Sequence, residues 1–551
     1  MYQLEKLGKK CVVETEEGTF DYVLVRAGLK VKKLPKDVLM VTLTRIADGA
    51  FSDCTKLASL ALPYSVRVIG ERAFSGCSKL KSLELSESIE KIGANAFDNC
   101  TSLVYNEFEN GYYLGNSSNP YVALVRAKST DITSITINEE TKVICAGALE
   151  GCENLTAITV PNGVKSIGRS AFNGCRGITS ITLPFVGESQ NGKGCGIFGH
   201  IFGACEYSQN GNFVPSSLKE VTITGDSDVA SYAFANCSGI TSITLPDTVK
   251  NIGYSAFWGC QSLTDVTIPS AIDIIDEDTF RECKSLKSIV LPDSVKTIGK
   301  HAFYQCTELD DVTLGNGVET IVDYAFESCT SLTSITLPES VTSIGDCVFS
   351  YCSNLTTITL PSGLTSMGDA FWDCESLESI VIPDGVTSIS EEAFRNCTSL
   401  KSVVIGNGVE SIGEKAFSGC TALEAVTVPS GITSMGEDVF EDCDSLVFNE
   451  YEGCCYLGNA ENPYVVLVKA RSSDISTAII NEGTKVICSY AFERCSNLTS
   501  IDIPVGVACI CNDAFYKCSG LTVNCEAEEE PENWMGDWDS SVDSVVWGYR
   551  K

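Results

Sequence analysis

The chain has 551 residues, and its 39 Lys and Arg residues against 72 Asp and Glu residues give a formal net charge of −33 at pH 7. Such a field repels phosphate backbones and anionic lipid headgroups, so we expect no nucleic-acid partner. Apolar runs long enough to span a bilayer are missing, so we expect no membrane insertion. Because the only histidines are His200 and His301, a His-rich zinc centre cannot form. The sequence also has no nucleophile elbow and no Walker loop, so we expect no catalytic residues, no cofactor and no metal.

Residues 1–45 precede the first copy of a repeated unit, and we expect them to form an N-terminal cap over the open end of a stack. They include Asp21–Ala27 (DYVLVRA), a degenerate copy of a motif that returns twice further along the chain. A secretory signal needs a basic start followed by an apolar stretch, and the sequence begins without one. A cytoplasmic protein and a trimmed surface or secreted protein both remain open.

From residue 46 onward, one period organises the chain. A tetrapeptide of the Phe-x-x-Cys type recurs, and most steps between its cysteines are 23 residues. This period is typical of leucine-rich repeats. The cysteines at this position, which we name the cysteine ladder, are Cys54, Cys77, Cys100, Cys152, Cys175, Cys205, Cys237, Cys260, Cys283, Cys306, Cys329, Cys352, Cys374, Cys397, Cys420, Cys443, Cys495 and Cys518.

Each repeat has the pattern of one coil of a solenoid. Between Cys329 and Cys352, Ile335 and Leu337 alternate with polar residues, as in a strand with one buried face. Pro338 ends this strand because it cannot donate to a ladder. No coil can bury its apolar side alone, so neighbouring coils must stack. The repeats occupy residues 46–104, 129–183, 219–447 and 472–523.

The unit, best seen from Ile321 to Ser343, resembles the BspA-like leucine-rich repeats of bacterial surface proteins and some protozoan parasites. The resemblance implies an α/β-type repeat solenoid, namely a right-handed leucine-rich-repeat solenoid. It would have one parallel strand per coil, short helical or 3-10 turns on the other side, and projecting β-hairpin inserts. It also implies a cell-surface or secreted protein that attaches to host or bacterial partners.

Three inserts interrupt the repeats. Residues 105–128 and 448–471 match each other at an offset of 343 residues, and their β-rich runs separated by Asn-Gly, Gly-Asn and Asn-Pro signals predict hairpins. Residues 184–218 are rich in Gly, Asn and Ser, which indicates either binding loops or longer turns packed against their neighbours. The last segment, residues 524–551, contains three tryptophans and is predicted to be a C-terminal cap.

The cysteine ladder places thiols about 4.8 Å apart in adjacent coils, with parallel side chains that do not fit the disulfide torsion. We therefore predict buried, reduced thiols that act as small hydrophobes, and we expect the off-ladder Cys454 and Cys455 to react among the first. Cys195, His200 and Cys205 share the Gly-rich insert and could hold a soft metal. Their spacing is not a known zinc motif, so we predict a structural insert.

Two features are candidate binding sites. Hydroxyl and carboxylate side chains, including Asp265 and Asp311, recur along the concave strand face, where they are either ordinary solvated strand residues or a binding surface. The aromatic side chains of the two hairpins either contact a partner or brace the solenoid. The candidate tyrosines are Tyr112, Tyr113, Tyr121, Tyr456 and Tyr464.

We therefore predict a non-enzymatic binding or adhesion module that recognises a protein or glycan partner through an elongated leucine-rich-repeat surface, as a monomer. The alternative is an intracellular structural or scaffold leucine-rich-repeat protein, which the reduced thiols and the missing signal favour.

Overall fold

The computed structural model describes residues 11–15, 22–27, 43–190, 192 and 194–550, and the chain divides into two compact units, Met1–Ile272 and Asp273–Lys551. Each unit is a parallel β-solenoid, which confirms the predicted fold class. Most coils contribute a strand of two to four residues to a first row and a strand of two residues to a second row.

The strands of the first unit, β1 to β17 in chain order, are Cys11–Thr15, Tyr22–Ala27, Leu43–Ile46, Ser59–Ala61, Val68–Ile69, Ser82–Glu84, Lys91–Ile92, Asn106–Phe108, Gly111–Leu114, Ala123–Ala127, Val143–Ile144, Ala157–Thr159, Ser166–Ile167, Ser180–Leu183, Glu220–Ile223, Ser242–Thr244 and Asp265–Val266.

The strands of the second unit, β18 to β39, are Ile274–Ile275, Ser288–Val290, Thr297–Ile298, Asp311–Thr313, Thr320–Ile321, Ser334–Thr336, Ser343–Ile344, Thr357–Thr359, Ser379–Ile382, Ser388–Ile389, Ser402–Ile405, Ser411–Ile412, Ala425–Thr427, Ser434–Met435, Asn449–Tyr451, Cys454–Leu457, Val466–Ala470, Val486–Ile487, Ser500–Ile503, Cys509–Ile510, Thr522–Cys525 and Ser544–Trp547.

Strands of the same row pair in parallel and in register from coil to coil. In β23 and β25, Ile335 lies opposite Ile358, and both are buried while the residues on either side of each are exposed. In the second row, Ile321 lies opposite Ile344. The repeat therefore fixes the register, because a slip by one residue would expose the isoleucines and bury their polar neighbours.

Except at Cys205, where Phe202 ends a 3-10 helix, the Phe-x-x-Cys segments differ from the predicted helical or 3-10 turns. They are consecutive tight turns with two left-handed residues each, such as Tyr324 (φ 61°) and Ser328 (φ 60°) before Cys329. A left-handed residue interrupts the right-handed run that a helix needs. The helices among the described residues all lie in the third insert, as two 3-10 helices and one short α-helix: Phe198–Phe202, Tyr207–Gln209 and Asn210–Phe213.

The part of the third insert around Phe198 and Phe202 packs against the neighbouring coils. Phe198 and Phe202 are fully buried, and the ring of Phe198 lies 4.9 Å from that of Phe234 in the following coil. Gly203 has a φ of 119°, a conformation that favours glycine, and it ends the first 3-10 helix. The interpretation of this insert as longer packed turns therefore describes the structure.

The core of most coils contains a stacked phenylalanine and a hydrogen-bonded thiol. The Phe326 ring lies 5.0 Å from Phe303 and 5.7 Å from Phe349, with nearly parallel planes. The Cys352 Sγ donates to the Phe326 carbonyl oxygen of the preceding coil at 3.2 Å, and this contact repeats along the ladder. Ladder cysteines such as Cys329 and Cys352 are buried, reduced thiols as predicted, whereas Cys205 is exposed.

The matching inserts are antiparallel, as predicted, but each continues into the solenoid sheet. In the first insert, β8, β9 and β10 pair antiparallel in order, and β10 then pairs in parallel with β11. The second insert repeats this arrangement with β32 to β35. The degenerate copy of the motif near the N-terminus has the same arrangement in its described residues, because β2 pairs antiparallel with β1 and parallel with β3. The inserts therefore extend the sheet at its edge.

The C-terminal segment covers the last coil of the second unit. Strand β39 pairs in parallel with β38, and Trp534 and Trp538 are buried in the adjoining core. The indole Nε1 of Trp538 donates to the Glu530 carboxylate at 2.8 Å. Along the described part of the chain, no helix combines the length and apolar character needed to cross a membrane.

Candidate functional site

The predicted tyrosines of the inserts have different environments. Tyr113 and Tyr456 are fully buried, and their hydroxyl oxygens accept the backbone N–H groups of Asn138 and Asn481 at 3.4 and 3.3 Å. Burial raises the pKa of Tyr113 to about 12. These two rings belong to the core and are not available to a partner.

Tyr112, Tyr121 and Tyr464 are partly exposed and remain candidates for partner contact. Each of the last two packs edge-on against the buried tyrosine of its insert, at 5.5 Å between ring centroids. Their inner faces therefore brace the insert, and only their outer edges can reach a partner.

Asparagines fix each insert to the coils on both sides. In the first insert, Asn116 Nδ2 donates to the Leu85 carbonyl oxygen at 2.8 Å, and Asn119 Nδ2 donates to that of Glu140 at 3.1 Å. The second insert makes the same pair of bonds, from Asn459 to Val428 and from Asn462 to Gly483. These asparagines therefore act both as turn residues and as anchors.

The exposed strand face has the predicted polar character in both units. In the first unit, Asp265 is exposed on β17. In the second unit, Asp311 is exposed on β21, followed by exposed Ser, Thr and Val positions on β23 and β25 and on β19 before it. None of these side chains contributes to the core, so they are free to contact another molecule.

A cleft lies beside each matching insert, between the Phe-x-x-Cys turn that precedes the insert and the turn that follows it. The chain runs through the insert strands between Cys100 and Cys152 without forming another such turn, so the stack of turns is interrupted. The first opening, cleft A, encloses about 710 Å³ within the first unit. Its counterpart in the second unit, cleft B, encloses about 650 Å³ after Cys443.

The two clefts are equivalent by sequence position. Every residue that lines cleft B stands 343 positions after one that lines cleft A. On one wall of cleft A the Arg126 guanidinium lies over the Tyr105 ring at 5.2 Å. In cleft B the Lys469 ammonium lies over the Phe448 ring at 4.8 Å. The duplicated block therefore includes the cleft as well as the insert, a consequence that the 343-residue offset could have indicated.

The charges of the two clefts differ. Cleft A is lined by two acidic and two basic side chains, Asp98, Glu150, Arg126 and Arg169. Cleft B has a single basic residue, Lys469, and five acidic residues. These acidic residues are Asp438, Glu441, Asp442, Asp444 and Glu493. Burial and the neighbouring Glu441 raise the pKa of Asp438, which shows that the carboxylates are close enough to repel one another.

An aromatic cluster on the first unit was not predicted. The Tyr207 ring stacks on Tyr232 at 4.1 Å, and Tyr254 meets Tyr232 edge-on at 4.9 Å. Tyr254 is 45% exposed, and Phe213 nearby in the insert is 41% exposed. Tyr232 has a left-handed backbone conformation and stands two residues before Phe234. An aromatic residue at this position of the repeat is the sequence feature from which the cluster could have been predicted.

The exposure of the off-ladder cysteines differs from the prediction. Cys454 and Cys455 are buried on β33, and burial raises the pKa of Cys454 to about 12, so the expectation that they react among the first is wrong. Both cysteines lie on β33, the central strand of the insert, which pairs with β32 along one edge and with β34 along the other. Among the cysteines whose side chains are described, Cys205 is exposed and Cys195 is partly exposed.

The structure does not assemble the soft-metal group considered for the third insert. Among the described residues, the ligand atoms of Cys195, His200 and Cys205 do not lie within 4.8 Å of one another. In the second unit, Glu277, Asp278 and His301 do meet this distance. Arg281 binds the Asp278 carboxylate at 3.3 Å and would oppose a cation, so we assign no metal there.

Stacked coils of short parallel strands, each closed by a Phe-x-x-Cys turn, define a leucine-rich-repeat protein. The BspA type Leucine rich repeat region matches residues 30–118, 127–193, 207–333, 319–447 and 470–530, in six copies. The matched residues make up more than half of the chain, and the chain belongs to this family. The resemblance drawn from the repeats is thereby confirmed.

Several solved structures are similar to the chain. A leucine-rich repeat protein from Bacteroides ovatus is 21% identical over 94% of this chain and 93% of its own, with a TM-score of 0.35. A leucine rich cell surface protein from Faecalibacterium prausnitzii is 22% identical over 81% and 96%, with a TM-score of 0.31. A leucine-rich repeat protein from T. pallidum is 27% identical over 40% and 82%, with a TM-score of 0.28. No curated protein gives a match.

Proposed function

We propose that this chain is a non-enzymatic binding module that recognises a protein or glycan partner through its leucine-rich-repeat surface. The observation that carries the proposal is the exposed strand face of the second unit, where hydroxyl and carboxylate groups repeat in register within the strand pairs β19–β21 and β23–β25. Regularly spaced polar groups on a rigid scaffold can bind a large ligand at little cost in conformational entropy.

The proposal is tested by capture of extracellular matrix proteins and by a glycan array, each with the full chain immobilised. We expect at least one partner to bind. The double substitution Asp311→Lys and Thr313→Lys on the strand face should weaken this binding. The control pair Glu375→Lys and Thr398→Lys carries the same change of charge at exposed loop positions and should bind normally. If both double variants lost the same amount of binding, the contact with the partner would not lie on the strand face.

A second candidate function is that of an intracellular scaffold, which the free thiols favour. Ladder cysteines such as Cys329, Cys352 and Cys397 are in the reduced form, and their thiols donate to backbone carbonyl oxygens. Free thiols persist most easily in a reducing compartment. Protease treatment of intact source cells separates the two functions, because a surface module is digested and an intracellular scaffold is protected.

A further inference from the structure

The turns of each coil are normally linked to those of the next coil by backbone hydrogen bonds. In the coil before cleft B, the N–H groups of Lys415, Phe417 and Gly419 donate to carbonyl oxygens of the following coil at 2.9 to 3.0 Å. The donors are alternate residues, so they point in one direction along the stack. Each turn therefore offers a short row of donors to whatever follows it.

At cleft B this row has no following coil. The Asp438 N–H donates to the Ser489 hydroxyl oxygen at 3.1 Å, but the N–H groups of Phe440 and Asp442 have no acceptor among the described residues. The Phe440 ring stacks on Phe417 at 5.8 Å, and Phe440 lines the cleft. Unpaired donors beside an apolar ring are the features of an edge to which another chain can add.

Cleft A has the same unpaired row but a different charge. The N–H groups of Asn95, Phe97 and Asn99 lack acceptors within the described part of the first unit, whereas those of the preceding coil are bonded. Its acidic and basic side chains balance, while cleft B has an excess of four negative charges. Two cavities of one design therefore differ mainly in the charge that they present.

We propose that cleft B binds an extended, lysine- or arginine-rich segment of a partner protein. This proposal rests on the proposed binding function and names one ligand for it. Main-chain carbonyl oxygens of the segment accept the Phe440 and Asp442 N–H groups and so replace the missing coil. Its cationic side chains pair with the surrounding carboxylates, and its apolar stems cover the Phe440 and Phe448 rings.

The probe is a fluorescein-labelled peptide of alternating Lys and Thr, with binding measured by anisotropy at low and at physiological salt. A Glu-Thr peptide should not bind. A Lys-Thr peptide with N-methylated amides on the edge that faces away should bind as the parent does. Replacing the amides whose carbonyl oxygens accept the Phe440 and Asp442 N–H groups by uncharged alkene isosteres should abolish binding. If the alkene peptide binds as tightly, the attraction is only electrostatic and the edge-pairing proposal fails.

The matched variants use the equivalence of the clefts. The triple variant Glu441→Gln, Asp442→Asn and Asp444→Asn should weaken peptide binding about tenfold, because three ion pairs are lost. Conversely, Asn95→Asp, Asn99→Asp and Thr101→Asp should create a second peptide site in cleft A. Asp and Asn both tolerate the left-handed conformation of positions 95, 99 and 442, so each variant is expected to fold.

The outcomes separate this proposal from the proposed function. Loss of peptide binding in the triple variant together with gain in cleft A supports it. Peptide binding that is unchanged in the triple variant overturns it, even if matrix or glycan partners are still captured. If no macromolecular partner is captured but the peptide binds as described, the cleft assignment stands and the strand-face proposal fails.

Discussion

The buried thiols predict that the reduced protein unfolds in mild alkali. Burial raises the pKa of Cys145, Cys260, Cys352 and Cys488 to about 12, from an ordinary value of 9.0. A thiol with a raised pKa stays neutral in the fold while it ionises in the unfolded chain. The stability that it contributes is therefore complete below pH 9 and is lost as the pH rises toward 12.

The size of the effect follows from linkage. At about pH 10, one unit above the ordinary pKa, each such thiol has lost about 1.4 kcal/mol of stabilisation. The first unit contains Cys145 and Cys260, and the second unit contains Cys352 and Cys488. The two thiols of each unit together therefore lose about 3 kcal/mol of stabilisation. A typical domain is stable by about 5 to 15 kcal/mol, so this loss is large enough to bring unfolding within reach.

The assay follows thiolate absorbance and strand circular dichroism together, in the presence of a reductant, from about pH 8 to about pH 11. We expect both signals to change in one transition. Cys352→Ser removes a buried titrating group and should move the transition to higher pH, whereas Cys205→Ser, at the exposed position, should leave it in place. A rise in thiolate absorbance near pH 9 that is larger in the parent than in Cys352→Ser, with the dichroism unchanged, would refute the reasoning.

Three further predictions concern packing and access. Phe326→Ala should cost about 3 to 5 kcal/mol in denaturant unfolding because Phe326 is fully buried between two rings, while Phe440→Ala, half-buried with one such neighbour, should cost clearly less. Trp538→Ala should also cost about 3 to 5 kcal/mol, and a melting temperature equal to that of the parent would contradict its role in the cap. A maleimide added to the native protein should label Cys205 before Cys454, as a peptide map of the labelled sites can show.

The repeat made most of the fold predictable because the same physical requirement recurs in each coil. Ile335 and Leu337 alternate with polar residues, and the structure buries them as expected. The tight turns were harder to predict, since the left-handed residues Tyr324 and Ser328 are neither glycine nor asparagine, the residue types that usually signal this conformation. The stack, more than local preference, holds these turns in place through hydrogen bonds between coils.

The inserts show where local pattern stops being informative. Their turn signals predicted antiparallel strands, but alternation alone could not show that β10 joins the parallel sheet. It also could not show that Tyr113 faces the core while Tyr112 remains partly exposed. Both facts depend on contacts with coils before and after the insert, which the anchoring bonds of Asn116 and Asn119 establish.

The duplication connects these observations to function. Selection for stability alone would keep the residues that anchor the two inserts, and the bonds of Asn116 and Asn119 do recur at Asn459 and Asn462. It gives no reason for the cleft charges to diverge, because carboxylates gathered around cleft B repel one another and lower stability. Replacement of Asn99 by Asp442 at equivalent positions adds to that repulsion. An arrangement that costs stability in one copy only is best explained by a cationic ligand that binds that copy.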